Sequence, residues 1–144
     1  MAVSKLRIMY GPHNARKGYL IAQGPQESPT LAIYTSPIEG GMESAALWKT
    51  DVDAVSSYRA LTSENYSRSI AVGKEELAIL SDKVDKHYGN LQFILHGSTG
   101  NFDVLLRDFK TDLYLTVNKE NLPIFSKMDD SNVQKFVWNF SWQL

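Results

Sequence analysis

Three six-residue segments of this chain resemble one another at a near-constant interval, and nothing else in the sequence restricts the fold as strongly. They are Leu31-Ala32-Ile33-Tyr34-Thr35-Ser36, Leu77-Ala78-Ile79-Leu80-Ser81-Asp82 and Leu122-Pro123-Ile124-Phe125-Ser126-Lys127, set 46 and then 45 residues apart. A large aromatic follows in each copy, two residues after an apolar or small one: Ala46 and Trp48, Leu91 and Phe93, Phe136 and Trp138. Upstream of each segment lies another short apolar stretch: Tyr19-Leu20-Ile21-Ala22, Ser69-Ile70-Ala71-Val72 and Tyr114-Leu115-Thr116-Val117. A fourth stretch opens each copy, at Leu6–Tyr10, Tyr58–Leu61 and Val104–Leu106. Leu115 precedes Leu122 by seven residues and Ile70 precedes Leu77 by seven, but Leu20 precedes Leu31 by eleven. Copy one therefore carries four extra residues within Gln23-Gly24-Pro25-Gln26-Glu27-Ser28-Pro29, whose glycine and prolines are turn chemistry.

The stretches are rich in Ile, Val, Leu, Tyr, Phe and Trp and are bounded by Gly, Pro, Asn, Asp or Ser, which predicts strands. Lys74–His87 has a locally helical spacing, yet the matching segments of the other copies contain Pro29 and Pro123. The repeat overrides that local propensity. Periods near 45 also suit armadillo-type helical pairs and propeller blades, but these runs are too short for the former, and three blades cannot readily close. Three copies of four strands make twelve. That pattern resembles the β-trefoil, an all-β fold with six strands in a short barrel and six in three capping hairpins. The expected organisation is a single domain over 1–144, with repeats at approximately 1–54, 55–100 and 101–144. Leu31, Leu77, Leu122, Trp48, Phe93 and Trp138 are its expected core, and barrel closure would leave no sheet edge to aggregate.

Composition narrows the function. The 144 residues contain no cysteine, which excludes disulfides, thiolate metal sites and a Cys nucleophile. Met1 is not followed by an apolar h-region, and nothing approaches 18 consecutive apolar residues. The expectation is a soluble protein, cytoplasmic or released without a classical signal peptide, with no membrane insertion. Fifteen Lys plus Arg against sixteen Asp plus Glu give a formal net charge of −1, and the basic residues are scattered. The clustered basic footprint of a nucleic-acid binder is missing. His13, His87 and His96 lack zinc-site spacing, and two of them (His13, His87) fall in expected turns. Asp129-Asp130 before Ser131 lacks the full calcium-loop pattern. No nucleophile elbow, phosphate loop, dinucleotide fingerprint or glycosidase carboxylate pair stands out, so no enzyme, cofactor or metal is expected. Two N-x-S sequons, at Asn65 and Asn139, read as coincidental, the second because it falls in the expected last strand.

Many β-trefoils carry a Gln-x-Trp near the end of each copy. This chain resembles the ricin-B-type lectin domains that do so and, in character, the small cysteine-free lectins of mushrooms. Its motif is reduced to Gln134-Lys135-Phe136 in copy three, with Ser44 and Gly89 at the Gln position of the others. The resemblance implies a carbohydrate-binding lectin without catalytic activity, recognising galactose- or N-acetylgalactosamine-type glycans or glycoproteins. In that family an Asp before the second strand accepts hydrogen bonds from sugar hydroxyls, an aromatic after the third stacks on the sugar, and an Asn near the Gln-x-Trp completes the pocket. Copy three matches with Asp112, Phe125, Asn132 and Gln134. Copy one keeps an aromatic at Tyr34 but has Lys17 in place of the acid, with His13 and Asn14 as other candidates in its first loop. Copy two has Ser67 and Leu80. Phe125, Asp112 and Asn132 read equally well as a cap aromatic, a turn Asp and a turn Asn. Single sites of this kind bind weakly, so avidity would come from several sites or from a homodimer or higher homo-oligomer.

The competing reading is a β-trefoil protease inhibitor. Gly11–Gly18 and Gln23–Thr30 are long turns, and Arg16-Lys17 would suit a trypsin-like pocket. A cytokine-like or actin-bundling trefoil has less in its favour, since heparin-dependent factors need a basic patch.

Overall fold

The computed structural model describes residues 3–51, 58–83, 89–97 and 102–143. Strands β1 (Val3–Tyr10), β2 (Gly18–Gln23), β3 (Thr30–Tyr34) and β4 (Trp48–Asp51) form the first copy, with a short helix, α1 (Met42–Ala45), between β3 and β4. The second comprises β5 (Tyr58–Arg59) and β6 (Thr62–Ser63), two parts of one interrupted strand, then β7 (Ser69–Val72), β8 (Ala78–Ser81) and β9 (Leu91–Leu95). The third comprises β10 (Asp103–Asp108), β11 (Tyr114–Val117), β12 (Pro123–Ser126) and β13 (Trp138–Gln143). Where helical spacing competes with the repeat, the strand forms: Lys74–Glu76 is a single 3-10 turn and β8 follows it.

Antiparallel pairing closes the ring. β1 pairs β13 and β4, β4 pairs β6, β5 pairs β9, and β9 and β13 both pair β10. The hairpins β2–β3, β7–β8 and β11–β12 stand outside it. The fold is a β-trefoil.

Pairing fixes which residues are equivalent. Leu20 faces Ile33, Ile70 faces Leu80, and Leu115 faces Phe125. Leu20, Ile70 and Leu115 are wholly buried in the main core, as are Ile8, Leu61 and Leu106 of the three opening strands. Trp48, Leu91 and Trp138 occupy equivalent barrel positions, opposite Leu6, Arg59 and Val104. The indoles of Trp48 and Trp138 donate to the carbonyls of Leu20 and Leu115 at 3.0 and 2.9 Å, fastening each hairpin to the barrel in the same way.

This register corrects the sequence alignment twice. Leu31 is equivalent to Ala78 and Pro123, which makes Leu77 and Leu122 the counterparts of Thr30. Leu31 is in the core, whereas Leu77 and Leu122 are 41% and 42% exposed. The reason is that Leu20 meets Ile33 thirteen positions on, while Ile70 and Leu115 meet their partners ten on, so copy one's insertion is three residues rather than four. A one-residue slip moves a side chain to the other face. Phe93, two positions beyond the true counterpart of the tryptophans, is only partly buried, packed on the core against Phe140 at 5.2 Å.

Leu77 and Leu122 meet instead where the three hairpins converge. They line a pocket of about 490 Å³ with Pro29, Thr30, Ile79 and Pro123, and Leu77 makes a single β-bridge to Ile124. Copy one's insertion forms one wall, held by Tyr66 Oη donating to the Gly24 carbonyl at 2.6 Å and Arg68 Nη2 to the Gln26 carbonyl at 3.4 Å.

Candidate functional site

Side chains alternate between the two faces of a strand, so the residues between the core positions form rows on the outer wall. In copy three, cross-strand pairing sets Tyr58, Gln92, Arg107, Tyr114 and Ser126 side by side over five strands. The equivalent row in copy one is Asp103, Asn139, Met9, Tyr19 and Tyr34. In copy two it is Lys5, Lys49, Thr62, Ser69 and Ser81. One fold thus presents three chemically different walls. Copy two's is cationic and hydroxylic, copy one's is mostly apolar beyond Asp103 and Asn139, and copy three's mixes a guanidinium, an amide, a hydroxyl and two phenols.

Above copy three's wall, the turn between β10 and β11 is organised by Asp108, only 2% exposed. Its Oδ2 accepts from the Lys110 amide at 3.2 Å and from both the amide and hydroxyl of Thr111 at 2.9 Å. The Asp112 amide donates to the Asp108 carbonyl at 3.0 Å, closing a five-residue turn. Asp112 sits there with φ +61°, a left-handed conformation that Asp tolerates better than most residues. Its equivalent Ser67 has φ +54°. The turn leaves the Asp112 carboxylate facing solvent, its side chain 75% exposed, with Oδ1 3.8 Å from Arg107 Nε.

Arg107 is anchored from the other side. Its Nη2 donates to the Tyr58 hydroxyl at 2.6 Å, and this bond, ahead of nearby Tyr114 and Asp112, raises its pKa above the ordinary value. Tyr58 meets Phe109 edge-on at 4.5 Å. Tyr114 meets Phe136 edge-on at 6.2 Å, over a small cluster of Leu105, Phe136 and Val137 flanked by Met128 and Val133. An exposed carboxylate acceptor, an anchored guanidinium, an amide and two phenol rings therefore share one wall. That set suits a polar ligand with hydroxyls on one side and apolar C–H groups on another.

Of the sequence-predicted residues, Asp112 stands at this wall. Phe125 does not: it is 0% exposed, opposite Leu115 in the core, because its side chain points inward where Ile124 and Ser126 point out. It cannot be a stacking platform. Asn132 is committed to the turn before β13, its Oδ1 accepting from the Asp129 amide at 2.8 Å. Gln134 is exposed on the 3-10 turn Val133–Phe136. The tryptophans at equivalent barrel positions follow Ala46 and Phe136, so Gln134 lies two residues ahead of the motif's place. Tyr34 packs outside copy one, beside the cluster of Ile21, Ala45 and Ala46. His13 and Asn14 are exposed in the 3-10 turn His13–Ala15, where the His13 amide donates to Asp103 Oδ1 at 2.9 Å. His13 is held at the Asp103 end of the row and Tyr34 stands at the other, with three strands between them. Lys17, in Asp112's place in copy one, lies 5.6 Å over the Tyr10 ring. His87 lies outside the described residues.

Sequence reasoning missed Arg107, Tyr58, Gln92, Tyr114 and Asp108. Alternation along Asp103–Asp108 carries the signal for Arg107, flanked by buried Leu106 and Asp108. Tyr58 and Gln92 come from copy two, and only the barrel's closure reveals them.

No protein-family model matches the chain, and no curated protein matches it. Solved structures do. The designed threefold-symmetric protein ThreeFoil has a TM-score of 0.70 at 14% identity, with 99% of each chain covered. SeviL, solved bound to asialo-GM1 saccharide, also has a TM-score of 0.70, at 15% identity over 96% of this chain and 97% of that one. A salivary protein from Culex quiquefasciatus of the Cysteine and Tryptophan-Rich family has a TM-score of 0.70 at 10% identity, over 97% of this chain and 94% of that one. These likenesses establish a shared fold. At such identities function has to be argued from the site itself.

Proposed function

We propose that the chain is a carbohydrate-binding module without catalytic activity, recognising galactose- or N-acetylgalactosamine-type glycans through the outer wall of copy three. The observation that carries this reading is the exposed Asp112 carboxylate poised beside Arg107, above a wall holding Tyr114 and Tyr58. Asp112 accepts hydrogen bonds from sugar hydroxyls, Arg107 and Gln92 donate to ring or glycosidic oxygens, and Tyr114 offers the flat face that Phe125 cannot. SeviL's saccharide complex gives the reading a precedent on the same fold. Charge-assisted hydrogen bonds are each worth about 1.5–3 kcal/mol net, so loss of the Asp112 carboxylate should weaken binding roughly tenfold or more. A glycan array followed by calorimetric titration of the wild type and Asp112→Ala tests this. Unchanged binding in the variant removes copy three as the site, and an array silent to the wild type removes the lectin reading.

The protease-inhibitor reading rests on Arg16, exposed with extended backbone at φ −71°, ψ 136°. Stoichiometric inhibition of trypsin, lost in Arg16→Ala, would favour it over sugar binding.

A further inference from the structure

Of the four partly buried arginines, three are engaged. Arg59 donates to the Asp51 carbonyl and lies over Phe93, Arg68 donates to the carbonyls of Gln26 and Glu27, and Arg107 donates to Tyr58. Arg7 has no hydrogen-bond or ion-pair partner among the described residues, and its Nε is sealed from solvent without an acceptor. Alternation along β1 buries Leu6 and Ile8 and turns Lys5 and Arg7 onto the outer wall, where they pair across to Gln143 and Ser141 of β13. There they line a pocket of about 680 Å³ with Gln143 and with Glu43, Ser44 and Leu47, from α1 and the residues after it. Lys5 is shared with Glu64 at 3.3 Å, which leaves Arg7 as the cation without a counter-charge and Glu43 as the acid of the pocket lining. A guanidinium whose Nε is desolvated without an acceptor is costly, and a carboxylate on its terminal nitrogens, which stay open to the pocket, would offset that cost. The volume lies within the range of small-molecule pockets.

We propose that this pocket is a second binding site, separate from copy three's wall, for a hydroxylated carboxylate of the uronic-acid class. The carboxylate engages Arg7, whose planar fork matches it in two hydrogen bonds. The ligand's hydroxyls meet Ser44, Gln143 and the Glu43 carboxylate, and its apolar face rests on Leu47. Glu43 accepts from hydroxyls but repels a bare dianion, which favours a hydroxylated acid over an inorganic anion.

The test is an amide and arginine-side-chain NMR titration of the full chain with glucuronate, glucose and inorganic sulfate in parallel. The expected result is that millimolar glucuronate shifts Arg7 Nε–H and the amides of Ser44, Leu47 and Gln143, whereas glucose leaves them in place. Arg7→Met, which keeps the apolar stem, should weaken the glucuronate response at least tenfold, and Arg7→Lys should restore only part of it. Retained spectral dispersion in either variant shows that it is folded. Asp112→Ala should leave the response unchanged, which separates this site from the lectin reading. No shift in the pocket with glucuronate, an equal response to glucose, or an undiminished response in folded Arg7→Met overturns the proposal. A sulfate response as strong as that to glucuronate also overturns it, since the site would then read bare anions.

Discussion

Phe125 and Asp112 are separated by only thirteen positions and do opposite things. Phe125→Ala removes a ring from the wholly buried core, which should destabilise the protein by about 3–5 kcal/mol. Asp112→Ala removes a solvated carboxylate but puts alanine at φ +61°, so it should cost only about 1 kcal/mol. Urea unfolding of both variants checks the contrast, which inverts if Phe125 is a surface platform. Asp129 makes a prediction of another kind. Its carboxylate accepts from the Ser131 hydroxyl at 2.6 Å, and from the Ser131 and Asn132 amides at 2.9 and 3.2 Å. These bonds, the Ser131 hydroxyl foremost, hold its pKa below the ordinary 3.8. A depressed folded value means that the turn's stabilisation is present above the ordinary carboxylate range and fades as pH falls through the lower value. NMR titration of the side-chain carboxyls should find Asp129 titrating below the ordinary aspartate value, with the Ser131 amide shifting in step.

Strands and hairpins were legible in the sequence because each copy repeats the same alternation of β-formers and turn residues. The register within them was not. Matching Leu31 to Leu77 and Leu122 aligns three leucines in sequence but not in space, because hairpin one holds three extra residues. That slip carried the site reading with it: Phe125 was aligned with outward Tyr34, whereas its true counterpart is inward Ile33. The slip does not move Asp112, which is placed by its distance from the following strand, and Ser67 and Lys17 stand in the equivalent places. Hairpin one also packs closely. A methyl group at Gly18 would lie 2.8 Å from Ile33 Cγ2 and 2.9 Å from the Tyr34 carbonyl. Gly18→Ala should therefore cost about 1–3 kcal/mol through overpacking, measured by chemical denaturation. A neutral result would mean that β2 and β3 are further apart than this pairing requires.

Across the molecule, the three copies agree where the barrel must be packed and diverge on its outer walls. Closure joins residues that no single repeat contains, such as Tyr58 of copy two and Arg107 of copy three, and for that reason the assembled site could not be read from one copy alone. The indole–carbonyl bonds of Trp48 and Trp138 tie hairpins to the barrel, so loss of one should weaken the whole domain. Trp138→Phe leaves the buried Leu115 carbonyl without this donor and should cost about 1–3 kcal/mol in a single cooperative transition. Separate melting of a hairpin would show that the copies are not one folding unit. The claim that copy three's wall carries the function is tested most directly by a crystal structure of the full chain soaked with galactose, N-acetylgalactosamine and lactose. The account predicts a sugar hydrogen-bonded to Asp112, with its apolar face on Tyr114 and with Arg107 still held by Tyr58. A sugar seated on copy one or copy two, with copy three empty, would contradict it.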